Sequence, residues 1–237
     1  MPSPKKILVC SDFHIPFHSP RAISAMLQRV REWKPDRLVI NGDFLDCASI
    51  SRFVKSPKTP LLQEELNIGK KVLGWIKSAM PPECRLYVLG GNHEKRLPAL
   101  IQSAAPGLWG LEALSYQKLL GLDPGEWFEY GKIVRPVHNV ICWHGNKVRA
   151  HAGYTAKCEL LATGPAADVL CTGHTHRLGV HYRTDLCGTR AAVECGCMCD
   201  PGKADYLVGP MDWQCGFVEL VMRPGCPPQI TTRACKA

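Results

Sequence analysis

Five short clusters of Asp, Asn and His, each directly after a short apolar run, are the residues of this chain best suited to chemistry. Asp12-Phe13-His14 follows KILVC, and Gly42-Asp43-Phe44-Leu45-Asp46 follows RLVI. Gly90-Gly91-Asn92-His93-Glu94 follows RLYVL, Trp143-His144-Gly145 closes VICWH, and Gly173-His174-Thr175-His176 follows Val169-Leu170-Cys171. In extended backbone, residues i and i+2 point the same way. Asp12 with His14 can therefore grip one ion, and His174 and His176 are two imidazoles again spaced i, i+2. Asp43 is a carboxylate able to bridge two cations, Asn92 offers an amide oxygen, and His93 a proton donor. Gly42 lets the backbone turn sharply beneath them. A lone D-x-H triplet, or a turn with two solvated aspartates, arises by chance. GNHE is more specific, and the five together make the case.

The elements that must hold these clusters are legible in the apolar patterning. Lys6–Cys10, Arg37–Ile40 and Arg85–Leu89 read as short buried strands. Pro20–Trp33 reads as an amphipathic helix with Ile23, Met26, Leu27 and Val30 on one face, and Leu61–Met80 as a second helix stopped by Pro81-Pro82. This βαβαβ order implies a largely parallel sheet. After residue 131 short strand-like runs follow one another: 133–134, 139–143, 168–172, 179–183, 191–195, 216–222 and 229–233. They imply a second, mostly antiparallel sheet. Between the halves, residues 95–131 are richer in helix formers, Gly, Pro and aromatics.

The ordered series D-x-H, G-D-x-x-D, G-N-H-E, H-G, G-H-T-H resembles the signature of the calcineurin-like metallophosphoesterases. It covers Asp12 to His176, about three quarters of the chain. GNHEKR and the late GCMCD…WQCGF stretch are similar to phage and bacterial phosphoesterases described as DNA-repair-exonuclease-like. The resemblance implies an α/β fold, a four-layer α/β/β/α sandwich of two mixed sheets flanked by helices. The expected unit is one domain over 1–237 with a helical insertion at about 95–131. It also implies two divalent metal ions, Mn²⁺ first, with Fe, Zn²⁺ or Ni²⁺ as alternatives. One would be held by Asp12, His14, Asp43 and His176, the other by Asp43, Asn92, His144 and His174, with Asp43 and a hydroxide bridging them. His93 would be the catalytic proton donor with Asp46 orienting its ring, and Asn92, His93 and Arg96 would contact substrate. Mixed carboxylate, amide and imidazole donors suit such ions, and two of them together activate water for in-line displacement at phosphorus. Glu94 stays outside the catalytic set.

Composition sets the boundaries. The 237 residues suffice for a full core, and 46% hydrophobic with 21% charged residues is an ordinary globular balance. No apolar run approaches the roughly 20 residues that span a bilayer, so no membrane association is expected. Thirteen cysteines, an odd number scattered along the chain, fit free thiols in a reducing cytoplasm better than a disulfide scaffold. In Cys195-Gly-Cys197-Met-Cys199, alternation puts three thiols on one face, and spacing alone favours packing over metal binding there. A net charge of +8 is compatible with nucleic acid as partner or with a merely soluble surface. His18, His138, His151 and His181 belong to no motif.

Departures from the relatives bear on substrate. The family's Ser/Thr protein phosphatases carry arginines directly after the second Asp of GDxxD and directly before GNHE. Those arginines clamp a phosphomonoester dianion by paired hydrogen bonds. Here Cys47 and Gly90 stand in those places. A phosphodiester is the expected substrate, and DNA or RNA a candidate for it. The 95–131 insertion, with Lys95, Arg96, Trp109, Tyr116, Trp127, Phe128 and Tyr130, would serve base stacking or the packing of a helical cap equally well. The alternatives are a phosphomonoesterase or protein phosphatase, or a non-catalytic member that binds nucleic acid or protein.

Overall fold

The computed structural model describes residues 3–55, 57–186, 188–203 and 211–237. Strands β1 (Lys5–Cys10), β2 (Arg37–Asn41), β3 (Arg85–Leu89) and β4 (Trp127–Phe128) run parallel to one another. β9 (Gly216–Met222) joins β1 antiparallel, and β10 (Gln229–Ala234) joins β9, giving the order β10-β9-β1-β2-β3-β4. The second sheet, β5-β6-β8-β7, comprises β5 (Val140–Trp143), β6 (Val169–Thr172), β7 (Leu178–Asp185) and β8 (Gly188–Cys195).

Each helix forms for a local reason. In α1 (Pro20–Trp33) the Ser19 side chain accepts a hydrogen bond from the Ala22 N–H at 3.1 Å, and Pro20 occupies the first turn. Its stripe of Ala22, Ile23, Met26, Leu27 and Val30 is buried, and Lys34 ends it in the left-handed conformation. α2 (Leu62–Ala79) starts where Glu64 accepts from the Leu61 N–H at 2.7 Å. These two helices cover the outer face of the first sheet over a core containing Leu8, Cys10, Leu38, Ile40 and Val88. A second core, with Ile7, Val9, Val39, Val140, Val169 and Val193, fills the space between the sheets. A third, with Ile141, Leu170 and Ala192, lies under α5 (Tyr154–Thr163). The layers are therefore α/β/β/α.

Three expectations are corrected. The second sheet is not mostly antiparallel: β5–β6 and β6–β8 are parallel, and only β7–β8 is antiparallel. The reason is α5, a crossover helix between β5 and β6. Its sequence, YTAKCELLAT, carries no apolar stripe and so gives no period to read. Nor do the late strands all belong together, since β9 and β10 extend the first sheet. Residues 133–134 form no strand; Val134 makes an isolated bridge with Cys142. The 95–131 segment carries α3 (Arg96–Ala104) and α4 (Tyr116–Leu120), and ends in β4.

Candidate metal centre

The five motifs sit on loops at the carboxyl ends of β1, β2, β3, β5 and β6, the end at which open α/β sheets place their ligands. What brings two sheets' loops together is Asn41, the buried last residue of β2. Its Nδ2 donates to Trp143 O (3.1 Å) and Cys171 O (3.4 Å) of the second sheet. Its own carbonyl accepts from Ser11 Oγ and from His144 Nδ1, both at 2.9 Å. Sequence reading missed Asn41; its one signal is a polar residue closing an apolar strand before Gly42-Asp43.

The backbone is strained at the site. Asp12, His14, Asp43, His174 and His176 have φ between 47° and 67°. Non-glycine residues avoid that region at a cost of order 1–3 kcal/mol each, and such residues cluster at functional sites. Close approach completes the packing: a Cβ on Gly91 would fall 2.0 Å from Asp43 Oδ1, and one on Gly42 2.3 Å from His144 Nδ1.

All nine residues assigned from the motifs as ligands or catalytic groups come together. Asp12 and Asp43 are fully buried. His176 Nε2 lies 3.3 Å from Asp12 Oδ1 and 3.1 Å from His14 Nε2. On the other side His144 Nε2 lies 3.2 Å from Asp43 Oδ2 and 3.1 Å from Asn92 Oδ1. Donor atoms of Asp12, His14 and His176 all fall within 4.8 Å of one another, and so do those of Asp43, His144 and His174. Asp43 Oδ2 is also 3.8 Å from His14 Nε2, which puts it between the two groups. Two of the rings are aimed through the far nitrogen: Asp46 Oδ1 holds His14 Nδ1 at 2.9 Å, and the Asn41 carbonyl holds His144 Nδ1. That is how metal-binding imidazoles are oriented.

The electrostatics call for positive charge. Burial alone would raise both aspartates. The imidazoles of His144, His93 and His14 outweigh it and hold Asp43 well below the usual carboxylate range, and His176 and His144 lower Asp12. Burial opposes a charge on His144, yet Asp43 and Asp12 push it up to about 9. Two buried anions among imidazoles are costly unless a cation is close. The donor set, two carboxylates, one amide and four imidazoles, fits divalent ions of borderline hardness.

His93 sits at the open edge. Its N–H donates to Asp43 Oδ1 (2.9 Å), and its Nδ1 faces both Asp46 O (2.8 Å) and Asp46 Oδ1 (3.2 Å). Arg96 reaches the same ring from outside, with Nη1 donating to Asp46 O at 2.7 Å and Nη2 lying 3.2 Å from His93 Nε2. Burial works against protonation of His93, but Asp43 and Asp46 together raise it. Glu94 is structural: Oε1 accepts from the Leu45 N–H and Oε2 from the Gly91 N–H, both at 2.7 Å, which ties the second loop to the third. The four histidines outside the motifs are not among the clustered metal donors.

The family model for calcineurin-like phosphoesterases matches residues 5–178. The chain is 28% identical over 238 residues to the gene 54 protein of Mycobacterium phage L5, covering 92% of this chain and 89% of that one. It is 25% identical over 227 residues to the gene 54 protein of phage D29, with 90% and 87% covered. Among solved structures, a metallophosphoesterase from Sphaerobacter thermophilus shares the fold, with a TM-score of 0.51 at 14% identity over 98% of this chain and 88% of that one. The match of the family model, spanning all five motifs, means that the chain belongs to the calcineurin-like phosphoesterase family, whose chemistry is metal-dependent hydrolysis of phosphoesters.

Proposed function

We propose that the protein is a two-metal phosphodiesterase, and that strands of DNA or RNA are its substrates. The observation that carries the two-ion reading is the placement of Asp43 Oδ2 between the His14 side and the His144 side, with a full set of donors on each. Asp12, His14, Asp43 and His176 would hold one ion and Asp43, Asn92, His144 and His174 the other, with Mn²⁺ as the working metal. Bound there, the pair neutralises phosphate charge and lowers the pKa of water for in-line attack. His93, whose hold on a proton is raised by Asp43 and Asp46 against burial, would give a proton to the leaving oxygen. Asn92 and Arg96 contact the phosphate at the rim.

The diester preference rests on what stands at positions 47 and 90. Cys47 is buried, with its thiol 3.2 Å from the Tyr116 hydroxyl, and so turns away from the site. A Cβ at Gly90 would lie 3.0 Å from Tyr130 N and 3.2 Å from the Trp127 ring, tighter than ordinary contact. Arg96 is the guanidinium beside His93, and it is held by the carbonyls of Asp46 and Cys47 rather than offered as a free fork.

Nucleic acid is favoured by the basic balance and by the segment after His93. There a pocket of about 560 Å³ is lined by Lys95, Trp109, Tyr116 and Tyr130 among others. Trp109 is 57% exposed, and Lys95 Nζ sits 5.5 Å over the Tyr130 ring. Tyr116 and Trp127 pack on each other, and Phe128 stacks on Tyr87, so those three belong to the cap. A reducing cytoplasm is the compartment we assign. Matched aryl mono- and diesters assayed with Mn²⁺ decide the substrate class; a higher kcat/KM for the monoester overturns the diester assignment. Binding to DNA that does not weaken as salt rises overturns the nucleic-acid assignment.

A further inference from the structure

Three cysteines that catalysis does not use meet behind His176. Cys197 and Cys199 follow β8 and Cys215 precedes β9; a backbone bridge pairs Cys197 with Cys215. All three side chains are buried, and they form a small cluster of their own, against which Trp213 and Cys235 pack. The Cys215 thiol donates to Cys199 O at 2.8 Å. Facing them is the imidazole of His176, whose ring meets Trp213 edge-on with centroids 3.9 Å apart. Its Nδ1 lies 4.0 Å from Cys199 Sγ, while its Nε2 points the other way, toward Asp12. One ring nitrogen of His176 and the sulfurs of Cys197 and Cys199 all lie within 4.8 Å of one another.

We propose that Cys197, Cys199 and Cys215, with Nδ1 of His176, form a third cation site, which takes one thiophilic ion of the zinc class. Spacing in the sequence argued for packing because Cys195-Gly-Cys197-Met-Cys199 lacked a second pair of donors. The fold supplies His176 as a further donor beside Cys197 and Cys199, sets Cys215 against them in one cluster, and moves Cys195 away into the inter-sheet core. Three thiols and one imidazole are a donor set of closed structural zinc sites. Sulfur donors select this class of ion over the harder ions that suit carboxylates. Donors around one tetrahedral zinc stand about 3.4–3.8 Å apart, from a Zn–S of about 2.3 Å and a Zn–N of about 2.1 Å. The Cys199–His176 separation is close to that range. Binding is ligand exchange alone: the ion sheds water, and the thiols and the imidazole release protons to solvent.

A comparison inside the molecule separates this site from packing. Cys142, Cys171 and Cys195 also cluster, in the core between the sheets, but no imidazole stands among them, and they behave as small hydrophobes. Behind His176 the thiols instead face a ring that points its other nitrogen into the catalytic centre. An ion held there fixes that ring, the service a carboxylate or carbonyl gives most metal-bound histidines. This coupling rests on the two-ion reading above; the sulfur site itself does not.

The full-length protein, stripped of metal under reductant and reloaded with Co²⁺, tests the proposal. The expected result is sulfur-to-cobalt charge-transfer absorption in the near ultraviolet and about one equivalent of metal beyond the catalytic pair. Both disappear in Cys197→Ser/Cys199→Ser and persist in Asp43→Asn, whose damage is confined to the catalytic pair. No charge-transfer band in the wild type overturns the proposal whatever the variants do, as does a band that survives in the double serine variant. Should that variant fail to fold, a Cys215→Ser protein keeping the full wild-type band overturns the four-donor site. Failure of the two-ion reading looks different: Asp43→Asn would then keep the wild-type metal count.

Discussion

The two halves of the metal centre are built to different standards. Asp12, His14 and His176 are all buried, and His14 is held through its far nitrogen by Asp46. In the other half Asp43 and His144 are buried, but Asn92 and His174 are part-exposed, and His93 and Arg96 border the opening. The first half is a closed cage in which position is set by neighbours on every side. The second is a shelf with one wall left for substrate. Burial strengthens each charge interaction and raises the cost of losing a partner. The closed half should therefore hold its ion and stabilise the fold, and the open half should exchange its ion and do the chemistry.

Asp43 belongs to both halves, so its loss has the largest effect. Asp43→Asn is expected to abolish hydrolysis and to lower the metal bound at the catalytic centre from about two equivalents per chain. Near-wild-type turnover in that variant, assayed with Mn²⁺, breaks the two-ion scheme. His93→Ala comes next: both ions stay, and the rate falls by about 10²–10⁴, the usual contribution of a general acid. The loss should shrink for aryl esters with good leaving groups, which need little protonation. A uniform loss across leaving groups would make His93 a phosphate-positioning residue instead.

The comparison itself is sharpened by removing one ligand from each side. His174→Ala should lose the outer ion and activity while the melting temperature changes little. His176→Ala should lose the inner ion and lower the melting temperature as well, because it leaves Asp12 buried without its nearest imidazole. Metal analysis during timed chelation of the wild type is expected to show two steps for the catalytic pair, the outer ion leaving first. A single step, or equal destabilisation by the two variants, would mean that the halves are equivalent.

Much of this centre was legible in the sequence, because each motif follows a strand and a strand's end fixes where its loop must lie. Asp12, Asp43 and Asn92 could be placed that way, and Pro20–Trp33 and Arg85–Leu89 form with the ends their patterning implies. What was not legible needs contact between distant segments. Asn41 reads as a polar residue at a strand end until its amide is seen bridging two sheets. Glu94 reads as a spare acid beside His93 until both its oxygens are seen binding loop amides. The crossover helix Tyr154–Thr163 lacks an apolar stripe, and without it the parallel pairing of β5 and β6 could not be inferred.

The smallest expected effect concerns the support under both halves. Asp46 orients His14 on the closed side and His93 on the open side, and the turn that follows it is held by Glu65. The Glu65 carboxylate accepts from the N–H groups of Cys47 (2.6 Å) and Ala48 (3.1 Å). Burial first, and then the charge of Asp46, push Glu65 from 4.5 up to about 8. The folded state therefore keeps this proton over a range in which the unfolded chain has lost it. Its contribution is full below pH 4.5 and is lost as pH rises toward about 8, since stability falls wherever the native state binds more protons than the unfolded one. Glu94, pushed up to about 7 by burial and Asp43, acts in the same sense over a narrower window. Wild-type melting temperature should thus decline across this range, at about 2–4 °C for each kcal/mol lost. Glu65→Gln cannot ionise and should show a shallower decline, while keeping one oxygen for the loop amides. Parallel melting curves for the two proteins across the window would show that Glu65 is ionised in the folded state, and that the turn rests on a carboxylate rather than on a neutral acid.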